Sequence, residues 1–181
     1  MKGMIITEFI DMVEEKYGLE VVDDLITSSD LKTKGVYTSV GTYDYTDFLK
    51  LVNKLSQKIN VKVPDLLIDY GKELFKVFVK KYNFLFKNYD CTLDFLEGVN
   101  LHIHVEVSKL YPDAEFPKLI FNRISEDSMV LMYESERKLS NFGIGLIYGC
   151  AEYFNEKVSI DAQDQSGGKG EKVEIKINVK R

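Results

Sequence analysis

The spacing of the apolar residues differs between the two ends of this chain, and that difference limits the fold classes open to it. Up to about Leu110 they recur at three- and four-residue intervals, as Ile5, Ile6, Phe9, Ile10, Met12 and Val13 do, which places them on one face of a helix. Near the C-terminus Val173, Ile175, Ile177 and Val179 alternate with Lys172, Glu174, Lys176, Asn178 and Lys180, the period of a strand with one buried face. Helices followed by a small antiparallel sheet predict an α+β fold.

The first helix is expected to stop at Gly18 in a left-handed cap. A short second helix over 21–26 leads into an irregular linker through Lys34, Gly35 and Gly41. The next helix carries Phe48, Leu49, Val52, Leu55 and Ile59, with Asp44 or Thr46 as its N-cap. Pro64 suits the first turn of a further helix bearing Leu67, Tyr70, Leu74, Phe75, Phe78 and Tyr82. Gly71 inside it lowers helix propensity by about 1 kcal/mol against alanine, so another helix or a flat ligand is expected to come close there. Thr92 caps a helix expected to run from Leu93 to about Leu110, and Tyr111-Pro112-Asp113 breaks it. Residues 118–124 and 129–134 read as a hairpin, and Phe142 to Phe154 as a glycine-containing helix.

With 181 residues, 45% of them hydrophobic and 11 Phe plus 11 Tyr, the chain can bury one substantial core. Its formal charge of -5 argues against a nucleic-acid or anionic-membrane partner. No run reaches the roughly 20 apolar residues of a membrane span, and the N-terminus lacks a signal-peptide core, so a cytoplasmic protein is expected. Cys91 and Cys150 lie outside any CxxC pattern and read as reduced thiols.

The chemistry concentrates in residues 101–137, which contain both histidines, His102 and His104, among Leu101, Ile103, Val105 and Val107. A buried imidazole requires a partner, either a hydrogen bond or a metal. As a helix, the segment turns the two rings roughly 200° apart, and His102 faces elsewhere, towards Glu106. As a strand, it sets both on one face as a two-histidine metal chelate, and an ordinary core histidine is equally compatible. Downstream, Tyr133, Ser135 and Arg137 are spaced by two. In an extended segment they share a face and offer two hydroxyls and a guanidinium to one or two carboxylates. An axial nitrogen followed by a carboxylate clamp is what a haem with its propionates needs.

On these residues the chain resembles the H-NOX family, the haem nitric oxide and oxygen binding domains related to the haem domain of soluble guanylate cyclase. The likeness runs from Met1-Lys2-Gly3 to the last strand, and Tyr-x-Ser-x-Arg is its most diagnostic motif. It implies one domain over residues 1–181, with a helical distal part over about 1–62, a proximal part over about 63–181, and haem b between them. The family's proximal histidine precedes a sequence that here is Ser108-Lys109-Leu110, which implies His104 as the iron ligand. Tyr133, Ser135 and Arg137 are then the propionate residues, and Pro117 the proline that presses on the porphyrin.

Family members that hold dioxygen have a distal tyrosine supported by a tryptophan and an asparagine. The matching positions here are Phe142, Phe9 and Leu74, so those donors are missing. Ile5, Phe78 and Leu146 are expected to complete an apolar distal pocket. The resemblance therefore implies binding of nitric oxide and carbon monoxide without stable dioxygen binding, and loss of the His104 to iron bond on nitric oxide. It also implies a non-enzymatic gas sensor that signals to a histidine kinase or a cyclic-di-GMP enzyme. Some relatives carry a structural zinc site before the final strand. Residues 161–172 contain neither cysteine nor histidine, so none is expected. Two other readings compete: a non-haem metalloenzyme using His102 and His104, and a cofactor-free adaptor.

Overall fold

A computed structural model describes residues 1–180. Four helices come first: α1 (Gly3–Tyr17), α2 (Leu19–Ser28), α3 (Tyr45–Ile59) and α4 (Val63–Lys81). Two short ones, α5 (Thr92–Gly98) and α6 (His104–Leu110), precede a hairpin of β1 (Lys118–Arg123) and β2 (Ser128–Glu134). Helix α7 (Ser140–Tyr153) then leads to β3 (Lys157–Asp164) and β4 (Lys172–Lys180). The α+β class expected from the periodicity is the one found.

Local chemistry sets several of these boundaries. Asp44 caps α3 by accepting a hydrogen bond from the Thr46 amide at 2.9 Å, and Pro64 sits in the first turn of α4. Gly18 ends α1 with φ 86 and ψ 164, not in the compact left-handed form expected. The extended ψ sends the chain straight into α2, which is longer at both ends than the apolar pattern indicated.

Helices α1 to α4 enclose the first core around edge-to-face contacts of Phe9 with Phe48 at 5.4 Å and with Tyr70 at 5.1 Å. Each fully buried Phe or Leu there contributes about 1.5–3 kcal/mol. The sheet is antiparallel throughout, in the order β1-β2-β4-β3. Its inner face carries Met129, Leu131 and Tyr133 opposite Ile177, Ile175 and Val173, and these pack on Leu93, Leu96, Ile144 and Ile147 of α5 and α7. A third cluster joins Phe75, Phe86 and Phe95, the last two stacked at 5.0 Å.

Helix α7 separates the cores and packs against α4 closely enough to exclude side chains. A Cβ at Gly145 would stand 2.2 Å from the Ile68 carbonyl oxygen, and one at Gly71 would stand 2.5 Å from that of Phe142. Of the two causes open for Gly71, the close neighbour is a helix.

Strand β3 is an addition to the sequence reading. Its alternation rests on Val158, Ile160 and Ala162, a short and weakly apolar set at the sheet edge. The expected single helix from Leu93 to Leu110 is interrupted by a π-helical turn over Val99–Ile103. No helix among the described residues is long and apolar enough to cross a membrane.

Candidate functional site

The wide turn at Val99–Ile103 positions the first element of the site. The His104 amide bonds back five residues to the Val99 carbonyl, an insertion of the kind frequent at functional sites. It delivers His104, the first residue of α6, to the wall of a cavity of about 330 Å³, within the range of small-molecule sites. The wall is almost wholly apolar and draws on α1, α4, the helical run 92–110, the sheet and α7.

His104 is half-buried, with its ring lying flat on Phe116 at 4.0 Å. Neither ring nitrogen has a hydrogen-bond partner among the described residues. Burial lowers its pKa to about 4, so at neutral pH the ring is uncharged and keeps a lone pair free. His102 is exposed, stands off the cavity wall, and places Nδ1 3.0 Å from the Tyr89 hydroxyl. The contact expected with Glu106 is not made, because that carboxylate takes Lys109 at 2.6 Å instead. The strand reading that paired the two rings as a chelate fails, since the segment is helical and the rings part.

Tyr133, Ser135 and Arg137 all reach the cavity wall, but not as teeth of one extended strand. Strand β2 ends at Glu134, and Ser135 to Lys138 form a turn with Lys138 at φ 56. The Tyr133 hydroxyl accepts from the Leu139 amide at 3.2 Å, and the Ser135 hydroxyl accepts from the Arg137 amide at 3.2 Å. The Arg137 guanidinium donates to the Glu115 backbone oxygen at 3.2 Å and pairs with the Glu115 carboxylate.

Pro117, just before β1, also lies on the wall. Of the residues expected on the distal face, Ile5, Phe78, Phe142 and Leu146 line the cavity. Phe9 and Leu74 do not: both are almost fully buried in the first core, behind the wall. Tyr70 backs the wall as well, stacked on Phe142 at 5.5 Å with its hydroxyl donating to the Ile5 carbonyl.

Sequence reasoning missed residues 111–116, which with Pro117 close one side of the cavity. The Tyr111 and Tyr82 hydroxyls lie 2.9 Å apart. Asp113 takes Lys2 Nζ at 2.9 Å and the Thr42 hydroxyl, and Glu115 and Phe116 meet Arg137 and His104. Each is a long-range pairing with no periodic signal in the sequence.

So apolar a cavity accepts a flat hydrophobic cofactor, and one neutral nitrogen without a partner at its wall suits an axial metal bond. Arg137 and Ser135 add polar groups of the kind that meet carboxylates. By fold and site the molecule is of the haem-pocket class. The chain belongs to the haem-NO-binding family, HNOB or H-NOX, which matches residues 2–162; it is a family of sensor domains with haem as cofactor.

Solved structures agree in fold. The unliganded Fe(II) H-NOX protein of K. algicida is 40% identical over 100% of this chain and 97% of its own, with a TM-score of 0.95. The H-NOX of Shewanella woodyi, bound to IWP-051 in the Fe(II)CO state, is 36% identical over 98% of this chain and 94% of its own, at 0.83. That of S. oneidensis in the Fe(II)NO state is 25% identical over the full length of both chains, at 0.92. Comparison with curated protein sequences gives no match. Among the described residues no group of three or more His, Cys, Asp or Glu side chains is arranged to hold a metal ion.

Proposed function

We propose that this chain is a non-enzymatic, cytoplasmic gas sensor that holds haem b through His104 and responds to nitric oxide. The observation that carries this reading is the His104 imidazole, neutral and without a hydrogen-bond partner at the wall of an apolar cavity. Bound there, ferrous haem would supply an iron that takes nitric oxide or carbon monoxide.

The chain's own groups divide the remaining work. His104 offers its lone pair, and Phe116 fixes the plane of the ring by stacking on it. Arg137, Ser135 and Tyr133 form the polar edge suited to propionates, and Pro117 adds a rigid ring against the flat face. Ile5, Phe78, Phe142 and Leu146 keep water out on the opposite side. They present no hydrogen-bond donor, and a partly negative bound dioxygen gains most from such a donor. Dioxygen is therefore not held, whereas nitric oxide and carbon monoxide are.

With haem held by His104, loss of that bond on nitric oxide would free α6 and, with it, the segment 111–117 that ties the two parts of the domain. Such motion signals only through a partner that binds the two states differently. A histidine kinase or a cyclic-di-GMP enzyme fits this role; the Fe(II)NO and Fe(II)CO states of the related structures support the choice of gases.

The test is spectroscopic. The purified protein is expected to show a Soret band that shifts with nitric oxide and with carbon monoxide, and no stable ferrous-oxy spectrum in air. His104→Gly is expected to lose haem unless imidazole is supplied. Full haem occupancy with an unaltered spectrum in that variant would refute His104 as the ligand.

A further inference from the structure

Two consecutive residues of the segment 111–117 cover the two groups that would anchor the cofactor. The Phe116 ring lies on His104 at 4.0 Å, and the Glu115 carboxylate sits on the Arg137 guanidinium, whose other amine holds the Glu115 backbone oxygen at 3.2 Å. The segment is held at its own ends. Tyr111 meets Tyr82 at 2.9 Å, Asp113 takes Lys2 at 2.9 Å, and Pro117 fixes the entry into β1. Glu115 is therefore presented to Arg137 by an anchored backbone and does not reach it by chance from a free loop.

A guanidinium binds a carboxylate through a planar fork that one partner fills. Any carboxylate brought to Arg137 must displace Glu115 or share the fork with it. Glu115 is free to leave, since its side chain is 76% exposed whereas that of Arg137 is 19% exposed. The anion can swing into water while the cation stays at the cavity.

We infer that Glu115 is a built-in stand-in for a propionate on Arg137, and that its competition for the guanidinium slows the uptake of carboxylate-bearing porphyrin. This rests on the reading of Arg137 as a carboxylate anchor and makes Glu115 a positioning residue. Before uptake it keeps the guanidinium aimed and paired, and on uptake it yields the seat.

The test follows uptake by the cofactor-free chain, by growth of the Soret band after mixing with monomeric ferrous carbonmonoxy protoporphyrin. The dimethyl ester of the same complex, which has no carboxylates, serves as the second probe. An ion pair this exposed is weak, so Glu115→Gln is expected to accelerate uptake of the diacid by about two- to fivefold. Uptake of the ester should stay unchanged. In an Arg137→Gln background the same substitution should add nothing, because the seat is gone.

Equal or slower uptake of the diacid by Glu115→Gln overturns the inference. So does acceleration of both probes alike, which would mean that the segment had merely loosened. A parent chain that takes up neither probe refutes the haem reading itself and the inference with it, whereas uptake by the parent with no Glu115 effect refutes the inference alone.

Discussion

Tyr133, Ser135 and Arg137 spend most of their hydrogen-bonding capacity on their own turn. The Tyr133 ring is buried in the sheet core and its hydroxyl accepts from the Leu139 amide, which would otherwise be a buried N–H without a partner. Tyr133→Phe keeps the packing and removes the acceptor, so it should destabilise the fold by about 1–3 kcal/mol, measured by urea unfolding. A variant as stable as the parent would mean that the hydroxyl does not hold the turn. The motif's residue types were legible in the sequence, and so was the need of a buried His104 ring for a partner. Its geometry was not, because spacing by two implies one face only while the strand lasts, and β2 stops at Glu134. Phe9 and Leu74 entered the site through the resemblance, which matches positions and carries no depth; both stand in the first core, behind the cavity wall.

At the scale of elements, the contact of α4 with α7 does most to shape the site. Phe142 and Leu146 reach the cavity from α7, while Ile144 packs on the sheet and Ile147 borders both. The separation of the helices thus sets both the cavity and the sheet packing. Gly145→Ala sets a Cβ against the Ile68 backbone oxygen, where no side-chain rotation relieves the clash. It should cost about 1–3 kcal/mol of stability by thermal or urea unfolding, as overpacking does. Unchanged stability would show that α7 can retreat freely. Helices with broad apolar faces were readable from sequence, as was the Asp44 cap of α3, and Gly71 flagged the close approach. Strand β3 and the π-helical turn were not: the strand is too polar for its alternation to stand out, and the turn is an inserted residue in a pattern otherwise helical.

Across the whole molecule, the helical N-terminal part and the segment 111–117 are joined by a clasp at the surface. Asp113 accepts from the Thr42 hydroxyl and from Lys2 Nζ, while Lys2 also holds the Val40 carbonyl and lies 5.3 Å from the centre of the Tyr111 ring. These bonds, Thr42 first and then Lys2, hold the Asp113 carboxyl down at about 2, against an ordinary value of 3.8. A carboxyl with a depressed folded-state pKa adds stability above its unfolded value and loses it as pH falls through the folded one. The clasp is therefore complete above about pH 4 and fades between about pH 4 and pH 2. Asp113→Asn should be less stable than the parent at pH 7 and pH 5 by denaturant unfolding, and the gap should close as pH approaches 2. A gap of constant size down to that pH would assign the effect to the shape of the side chain and not to its charge. Because the clasp sits between the helix that bears His104 and the strand that follows Pro117, any shift of α6 must either carry the N-terminal part along or break these bonds. The same unfolding series on the haem-loaded protein, with and without nitric oxide, then separates the two: the Asp113→Asn gap persists if the parts move together and vanishes if the clasp opens.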